Sequence, residues 1–198
     1  MRIGVIGSGR LGGTLGQAWG AMDHEVLFAS RDPTQGSVVD LAVATRGART
    51  ATLEEAHAAS DVLLLAVPGN VAEMLVRTLD GWTGKVLIDP TNHLAPDGSS
   101  NAEAIQRAAP GARVVKAFNV MGVEALERAA TGNATGTMPI AGNDDEAIAI
   151  VSRLVNDVGL TPLHVGGLAM ATSLEQLSSV WIAWSRTLGR RFLWDVVR

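Results

Sequence analysis

Short apolar runs alternate with stretches of helical periodicity along most of the chain. The runs at 2–6, 25–29, 61–67 and 113–116 have the length and aliphatic composition of buried strands. The run at 61–67 is unbroken from Val62 onward, as is typical of a strand covered on both faces of a parallel sheet. Residues 11–22 instead place apolar side chains at helical spacing on one face.

The same alternation continues to the end of the chain. Further strands are predicted near 49, 86–88, 138–141 and 161–165, and further helices near 35–46, 71–79, 102–108, 144–158 and from 171 onward. Repeated β-α units predict an α/β fold: a Rossmann-type, doubly wound, mainly parallel sheet with helices on both faces. We interpret residues 1–168 as the Rossmann domain and 169–198 as a small C-terminal helical extension that forms a second-ligand pocket, a dimer contact, or both.

Composition narrows the classes of protein. The net charge is −4 without a long run of like charges, which argues against nucleic acid as a partner. No stretch approaches the roughly 20 apolar residues of a membrane span, and no signal peptide is evident, so we expect a cytoplasmic protein. The chain has no cysteine, and its four histidines are far apart, so no metal site is expected.

The strongest motif is a glycine-rich loop between the first strand and the first helix. It reads Gly7-Ser8-Gly9-Arg10-Leu11-Gly12. In this G-x-G-x-x-G pattern the first glycine allows the tight turn, the second lets a pyrophosphate approach the backbone, and the third brings helix and strand together. The helix N-terminus then offers free N–H groups to the anion. Its place inside a β-α-β unit predicts a dinucleotide site.

The end of the second strand indicates which dinucleotide binds. An NAD site usually has an acidic residue there for the ribose 2′-hydroxyl. This chain has Ser30 and Arg31 instead, and a hydroxyl with a guanidinium suits a 2′-phosphate. Asp32 follows one position later, where its carboxylate is expected to point away. We therefore predict NADP(H).

Polar residues also follow the later strands. The Val67-Pro68 backbone is expected beside the nicotinamide ribose, because ligands of open α/β sheets lie outside the carboxyl ends of the strands. The residues expected to line the same crevice are Asn92, His93, Lys116 and Asn119. Of these, Asn92, His93 and Asn119 are the candidate catalytic residues, and each is as well explained as an ordinary loop or cap residue. His93 could donate a proton.

Six segments, taken in order, resemble one known family. They are Arg2-Ile3-Gly4-Val5-Ile6-Gly7-Ser8-Gly9, Ser30-Arg31, Ala66-Val67-Pro68, Val115-Lys116-Ala117-Phe118-Asn119, Ala141-Gly142-Asn143-Asp144 and Leu188-Gly189-Arg190-Arg191-Phe192. The set resembles the deazaflavin (coenzyme F-420)-dependent NADP oxidoreductase family over essentially the whole chain.

The resemblance implies hydride exchange between NADPH and F-420, a small C-terminal helical part and a homodimer. By analogy, residues 8–11 would hold the pyrophosphate, Ser30 and Arg31 the 2′-phosphate, and Val67-Pro68 would run beside the nicotinamide. Two departures stand out. Members carry a further basic residue soon after the Ser-Arg pair, whereas 33–35 offer none, and this chain is shorter than a typical member.

Other functions remain open. One is an NADPH-dependent reductase of a small imine, carbonyl or flavin substrate, for which an acid such as His93 would matter. Another is a non-catalytic NADP(H)-binding redox sensor, which would bind the cofactor and reduce nothing.

Overall fold

The computed structural model describes residues 1–93 and 98–197 and contains one eight-stranded sheet. The strands are β1 (Arg2–Ile6), β2 (Glu25–Ala29), β3 (Ala48–Ala51), β4 (Val62–Leu65), β5 (Val86–Asp89), β6 (Arg113–Lys116), β7 (Thr137–Gly142) and β8 (Thr161–His164). The helices are α1 (Arg10–Ala21), α2 (Gly36–Val43), α3 (Leu53–Ala59), α4 (Gly69–Val76), α5 (Asn101–Ala108), α6 (Val123–Ala130), α7 (Asp145–Asp157) and α8 (Ala171–Leu188). The predicted Rossmann-type α/β fold is confirmed.

The order of the strands creates the crevice in which a ligand can bind. It is β3-β2-β1-β4-β5-β6-β7-β8, and only the β6–β7 pair is antiparallel among the described strands. The order reverses between β1 and β4, so the connections from their carboxyl ends diverge to opposite sides. In open α/β sheets this switch point is where ligands bind.

The apolar runs form strands because both faces of the sheet are covered. Ile3 of β1 pairs with Val26 on one side and Val62 on the other, and all three side chains are buried. Alternate strand residues join two separate apolar clusters, one on each face. Burial of both faces is why β4 is purely aliphatic rather than alternating.

Two helices lie where periodicity did not indicate one. The Thr52 and Glu55 pair marks the start of α3, and in the structure these residues form a reciprocal capping box. Nothing in the sequence analysis indicated α6, which has eight residues. Two turns are too short for a helical apolar pattern to stand out.

The C-terminal part is only partly helical. α8 begins at Ala171 as predicted but ends at Leu188, where Gly189 adopts a positive φ of 76°. Residues 189–197 form neither helix nor strand and fold back on the sheet, where the carbonyl of Trp194 accepts the N–H of Thr137. The division of the chain at residue 168 stays a prediction.

Candidate functional site

The glycine-rich loop has the close packing that its motif demands. Gly7 has a φ of +107°, and a Cβ there would lie 2.2 Å from the carbonyl oxygen of Ala66. A Cβ on Gly12 would lie 2.0 Å from the carbonyl oxygen of Gly7. A Cβ on Gly9, by contrast, would meet nothing within 4 Å. Gly7 and Gly12 therefore allow β1, the end of β4 and α1 to pack closely, while Gly9 leaves open space at the start of the helix.

The start of α1 can receive an anion. Gly9 is its N-cap residue, no side chain caps it, and its first turn contains no acidic residue. The first N–H groups of an α-helix have no partner within the helix. With Ser8 before the cap and Leu11 in the first turn, these backbone donors suit a pyrophosphate.

The loop between β1 and α1 borders a cleft of about 850 Å³ at the switch point of the sheet. It is lined by Ile6, Gly7, Ser8, Ala29, Ser30, Arg31, Asp32, Gln35, Leu53, Val67, Pro68, Val71 and Leu75. The structure thus brings together the glycine loop, the Ser-Arg pair and the Val67-Pro68 segment, which lie far apart in sequence. The other residues of the predicted loop, Gly9 to Gly12, do not line the cleft, but they follow directly on Gly7 and Ser8, which do.

The two charged residues after β2, Arg31 and Asp32, differ in whether their side chains have partners in the protein. The carboxylate of Asp32 accepts hydrogen bonds from the backbone N–H and the hydroxyl of Thr34, at 3.0 and 2.6 Å. These bonds lower the pKa of Asp32 and keep its carboxylate occupied within its own turn, although the residue still lines the cleft. Arg31 is exposed and forms no hydrogen bond or ion pair with any described residue. Its guanidinium is therefore available to bind an anion in the cleft.

The side chain of Arg10 points elsewhere. Its guanidinium lies 2.9 Å from a carboxylate oxygen of Glu127 and 2.9 Å from one of Glu124, both on α6. These hydrogen bonds raise its pKa. Only the backbone of Arg10 is therefore placed for the pyrophosphate in this conformation.

The candidate catalytic residues meet at the carboxyl ends of β5 and β6. The Asn119 amide nitrogen donates to the side-chain oxygen of Asn92 at 2.9 Å, and the Asn92 amide nitrogen donates to the backbone carbonyl of Asn119 at 2.9 Å. Asn119 also donates to the carbonyl of Leu174 on α8. His93 is exposed beside Gly69, where a Cβ on the glycine would lie 2.6 Å from the histidine Cβ. The structure thus unites these three residues next to the Val67-Pro68 segment.

Lys116 does not line this crevice, which corrects the expectation from sequence. Its side chain is fully buried, and its ammonium lies 2.9 Å from the carboxylate of Asp89 and 2.6 Å from that of Glu175. It also donates to the carbonyl of Thr91. An ammonium has three N–H donors, and all three are used inside the protein. Lys116 is therefore unavailable to a substrate.

Sequence reasoning missed Glu175. Burial raises the pKa of this carboxyl group, and the charge of Lys116 opposes that rise. A signal for it existed: a lysine in the apolar strand β6 needs a buried carboxylate partner, because lysine is almost never fully buried unpaired. Glu175 lies beside Leu174, within the apolar face of α8, where a carboxylate is otherwise unexpected.

Two further properties concern the described ranges only. Residues 1–93 and 98–197 contain no group of three or more His, Asp or Glu side chains placed to hold a metal ion. Among the helices within those ranges, none combines the length and the apolar character needed to cross a membrane.

A protein-family model matches the N-terminal part of the chain. Residues 2–93 match the family described as coenzyme F420-dependent NADP oxidoreductases, which confirms the resemblance seen in the sequence.

Similar proteins extend the comparison to the whole chain. A structure from Arthrobacter sp. FB24, assigned as an F420-dependent NADP-reductase, is 26% identical, with 99% of each chain covered and a TM-score of 0.85. Metalloreductase STEAP3 of Rattus norvegicus is 31% identical over 182 residues, which are 89% of this chain and 36% of that protein. The chain thus spans about a third of the length of the curated relatives it matches.

A more distant structure shares the fold. The reductive aminase of Aspergillus terreus, solved with NADPH, is 18% identical over 95% of this chain and 62% of its own, with a TM-score of 0.68. Together with the family match, the comparisons support an NADP-dependent oxidoreductase.

Proposed function

We propose that the protein transfers a hydride between NADP(H) and the deazaflavin coenzyme F-420, because residues 2–93 match the model of the coenzyme F420-dependent NADP oxidoreductase family. The observation that carries the proposal is the cleft at the switch point, where the glycine loop, Ser30 with Arg31, and Val67 with Pro68 line one space. These are the groups that a dinucleotide with a 2′-phosphate needs: one for the 2′-phosphate, one for the pyrophosphate and one for the nicotinamide.

Each part of the cleft has a role in binding NADP(H). Backbone donors at the start of α1 hold the pyrophosphate, and Gly9 admits it because nothing fills the space above its Cα. The free guanidinium of Arg31 and the hydroxyl of Ser30 receive the 2′-phosphate. The nicotinamide then lies along Val67 and Pro68, near the amides of Asn92 and Asn119.

The chain's own contribution to the reaction is alignment. NADP(H) and the deazaflavin supply the hydride chemistry, and hydride transfer needs the donor and acceptor carbons about 3–3.5 Å apart. The protein must therefore hold two rings face to face and exclude water between them. Asn92 and His93 are exposed and form the wall against which the second ring is proposed to lie, while the buried Asn119 holds Asn92 from behind. His93 is the exposed group of this wall that can exchange a proton.

Rapid mixing of the protein with NADPH and oxidised F-420 tests the proposal directly. We expect loss of the visible absorbance of the deazaflavin together with oxidation of NADPH. If NADPH binds but F-420 is not reduced, a flavin and a cyclic imine are offered as acceptors. Reduction of either makes the protein an NADPH-dependent reductase of that substrate, and His93→Ala should then lower turnover at least about tenfold. NADPH binding without reduction of any acceptor identifies a redox sensor.

Arg31→Ala tests the choice of NADP(H) over NAD(H). A lost charge-assisted hydrogen bond of about 1.5–3 kcal/mol should weaken NADPH binding roughly ten- to hundredfold, with little change for NADH, as measured by fluorescence titration. Arg46→Ala is the matched control, because Arg46 is also exposed but pairs with Asp23 at 2.7 Å outside the lining of the cleft. Equal losses for both coenzymes would assign Arg31 a structural role.

The homodimer is part of the proposal. The C-terminal half of α8 is exposed and carries Val180, Ile182, Trp184 and Leu188, which are 42–62% exposed. Val180, Trp184 and Leu188 are spaced four residues apart and therefore share one face of the helix, and an exposed apolar face of this kind favours a protein contact. Sedimentation of the wild-type protein and of Trp184→Ser tests it: a dimer that dissociates in the variant supports the contact, and a monomeric wild type contradicts it. The cytoplasmic location stays a prediction.

A further inference from the structure

A buried ionic cluster lies beneath the wall of the proposed substrate site. It consists of Asp89 on β5, Lys116 on β6 and Glu175 on α8, each at most 5% exposed. Lys116 joins the two carboxylates, at 2.9 Å from Asp89 and 2.6 Å from Glu175. Glu175 links the cluster to α8, and its partner Lys116 lies 59 residues away in sequence.

The cluster is connected to the site on the side of β5. Lys116 donates to the carbonyl of Thr91, the residue before Asn92. The Thr91 hydroxyl accepts from the side chain of Asn101 at 2.6 Å, and the same amide donates to the carbonyl of Gly69 at 3.2 Å. Gly69 follows directly on Pro68, so this chain of bonds runs from Lys116 to the segment beside the nicotinamide.

The cluster is also connected to the site on the side of α8. The same Glu175 oxygen that pairs with Lys116 accepts the backbone N–H of Asn101 at 3.1 Å. The neighbouring carbonyl of Leu174 accepts from Asn119, which completes the pair with Asn92. Moving α8 would therefore displace Asn119 and, through it, the Asn92 amide of the wall.

We propose that Glu175 is a positioning residue: through Lys116 it locks the first turns of α8 onto the carboxyl ends of β5 and β6, and thereby sets the wall on which the second substrate lies. This inference rests on the proposed function. Glu175 touches neither ring, because it is buried behind the wall. Its charge gives α8 one register against the sheet, whereas apolar contacts alone tolerate sliding. None of the three cluster residues lines the cofactor cleft, and the glycine loop and the Ser30-Arg31 pair, which hold the phosphates, have no bond to the cluster within the described ranges, so NADPH affinity should change little.

The proposal predicts that loss of Glu175 affects the kinetics with the second substrate but not the affinity for NADPH. Glu175→Leu should leave the NADPH dissociation constant within about twofold and raise KM for the second substrate roughly tenfold or lower kcat by as much, since a misplacement near 1 Å costs up to about a hundredfold. Glu175→Gln keeps an oxygen to accept from Lys116 and from the N–H of Asn101, so it should restore most of the activity. Should Glu175→Leu fail to fold, the triple variant Asp89→Asn, Lys116→Met, Glu175→Leu removes the ammonium along with both carboxylate partners and carries the same test.

The control is Asp157→Leu. Asp157 is a mostly buried carboxylate, 2.9 Å from His24 at the far end of α7 and outside the site. It should lower stability without changing KM or kcat. Three outcomes would overturn the proposal. Asp157→Leu and Glu175→Leu could lose activity equally, Glu175→Leu could lose NADPH affinity in parallel with second-substrate affinity, or Glu175→Leu could show no loss at all.

Hydrogen exchange separates this inference from the proposed function. If the wild type reduces no acceptor, the proposed function fails, and exchange of the backbone amides still decides the positioning role. Glu175→Leu should speed exchange at 89–93 and 171–178 while leaving 2–6 and 25–29 unchanged. Unchanged exchange in the first two segments would overturn it.

Discussion

The substitution Gly12→Ala is the sharpest test of the close packing between α1 and the loop that follows β1. A Cβ at this position would lie 2.0 Å from the carbonyl oxygen of Gly7, 3.0 Å from Val5 Cγ1 and 3.1 Å from Ala66 Cβ. A carbon and a carbonyl oxygen need about 3.3 Å, so Gly12→Ala must separate α1 from the loop by about 1.3 Å. The oxygen belongs to the backbone and cannot rotate away.

The energy of this change can be estimated from two opposing effects. Overpacking of this severity costs about 3 kcal/mol, whereas alanine gains about 1 kcal/mol over glycine inside a helix. We therefore expect the free energy of unfolding to fall by about 2 kcal/mol and the melting temperature by roughly 4–8 °C. NADPH binding should weaken at least about tenfold, because the displaced backbone donors lose the pyrophosphate.

Gly9→Ala is the matched control within the same motif. Its Cβ would meet nothing within 4 Å, and its φ of −71° suits alanine. Urea unfolding should show unchanged stability or a gain of up to about 1 kcal/mol, while NADPH titration shows weaker binding because the methyl fills the space of the pyrophosphate. If Gly12→Ala is as stable as the wild type and binds NADPH equally well, the packing argument is refuted.

Three further predictions concern stability and are read from urea unfolding. Trp19→Phe should cost about 1–3 kcal/mol, because it leaves the buried carbonyl of Leu154 without the indole N–H that lies 3.0 Å away; an unchanged midpoint would contradict this. Thr52→Ala should cost about 1 kcal/mol by removing one half of the capping box with Glu55, and a loss below the error of the measurement would count against the cap. Burial lowers the pKa of His57, so its contribution to stability is complete above the ordinary value of 6.5 and is lost as pH falls below it. His57→Gln should flatten that acid dependence, and an equally steep loss in the variant would place its cause in other groups.

The strands were the most predictable elements. β2 and β6 have the predicted bounds, Glu25–Ala29 and Arg113–Lys116. A strand buried on both faces needs a continuous apolar run, which is visible without any knowledge of its neighbours. The ends of α8 show the contrast: its start was predicted, while its stop at Leu188 was not, because the next residues pack on β7 rather than continuing the helix.

The candidate site divides in the same way. The glycine loop and the Ser30-Arg31 pair were found from sequence because each is a local signal: turn geometry in one case, and the residue type after a strand in the other. Lys116 was placed in the crevice because it follows an apolar run. Its burial depends on Glu175, and that partner became adjacent only when α8 packed across the sheet edge.

Sequence alone thus determined the α/β class and predicted the dinucleotide loop and a 2′-phosphate partner, because these depend on residues within one or two elements. The tertiary structure decided which charges are free. Arg31 stays uncommitted, whereas Arg10 is held by carboxylates 114 and 117 residues away and Lys116 by one 59 residues away. The physical reason is that a charge takes its partner from whatever the fold brings within about 4 Å, and no local pattern in the chain encodes that distance.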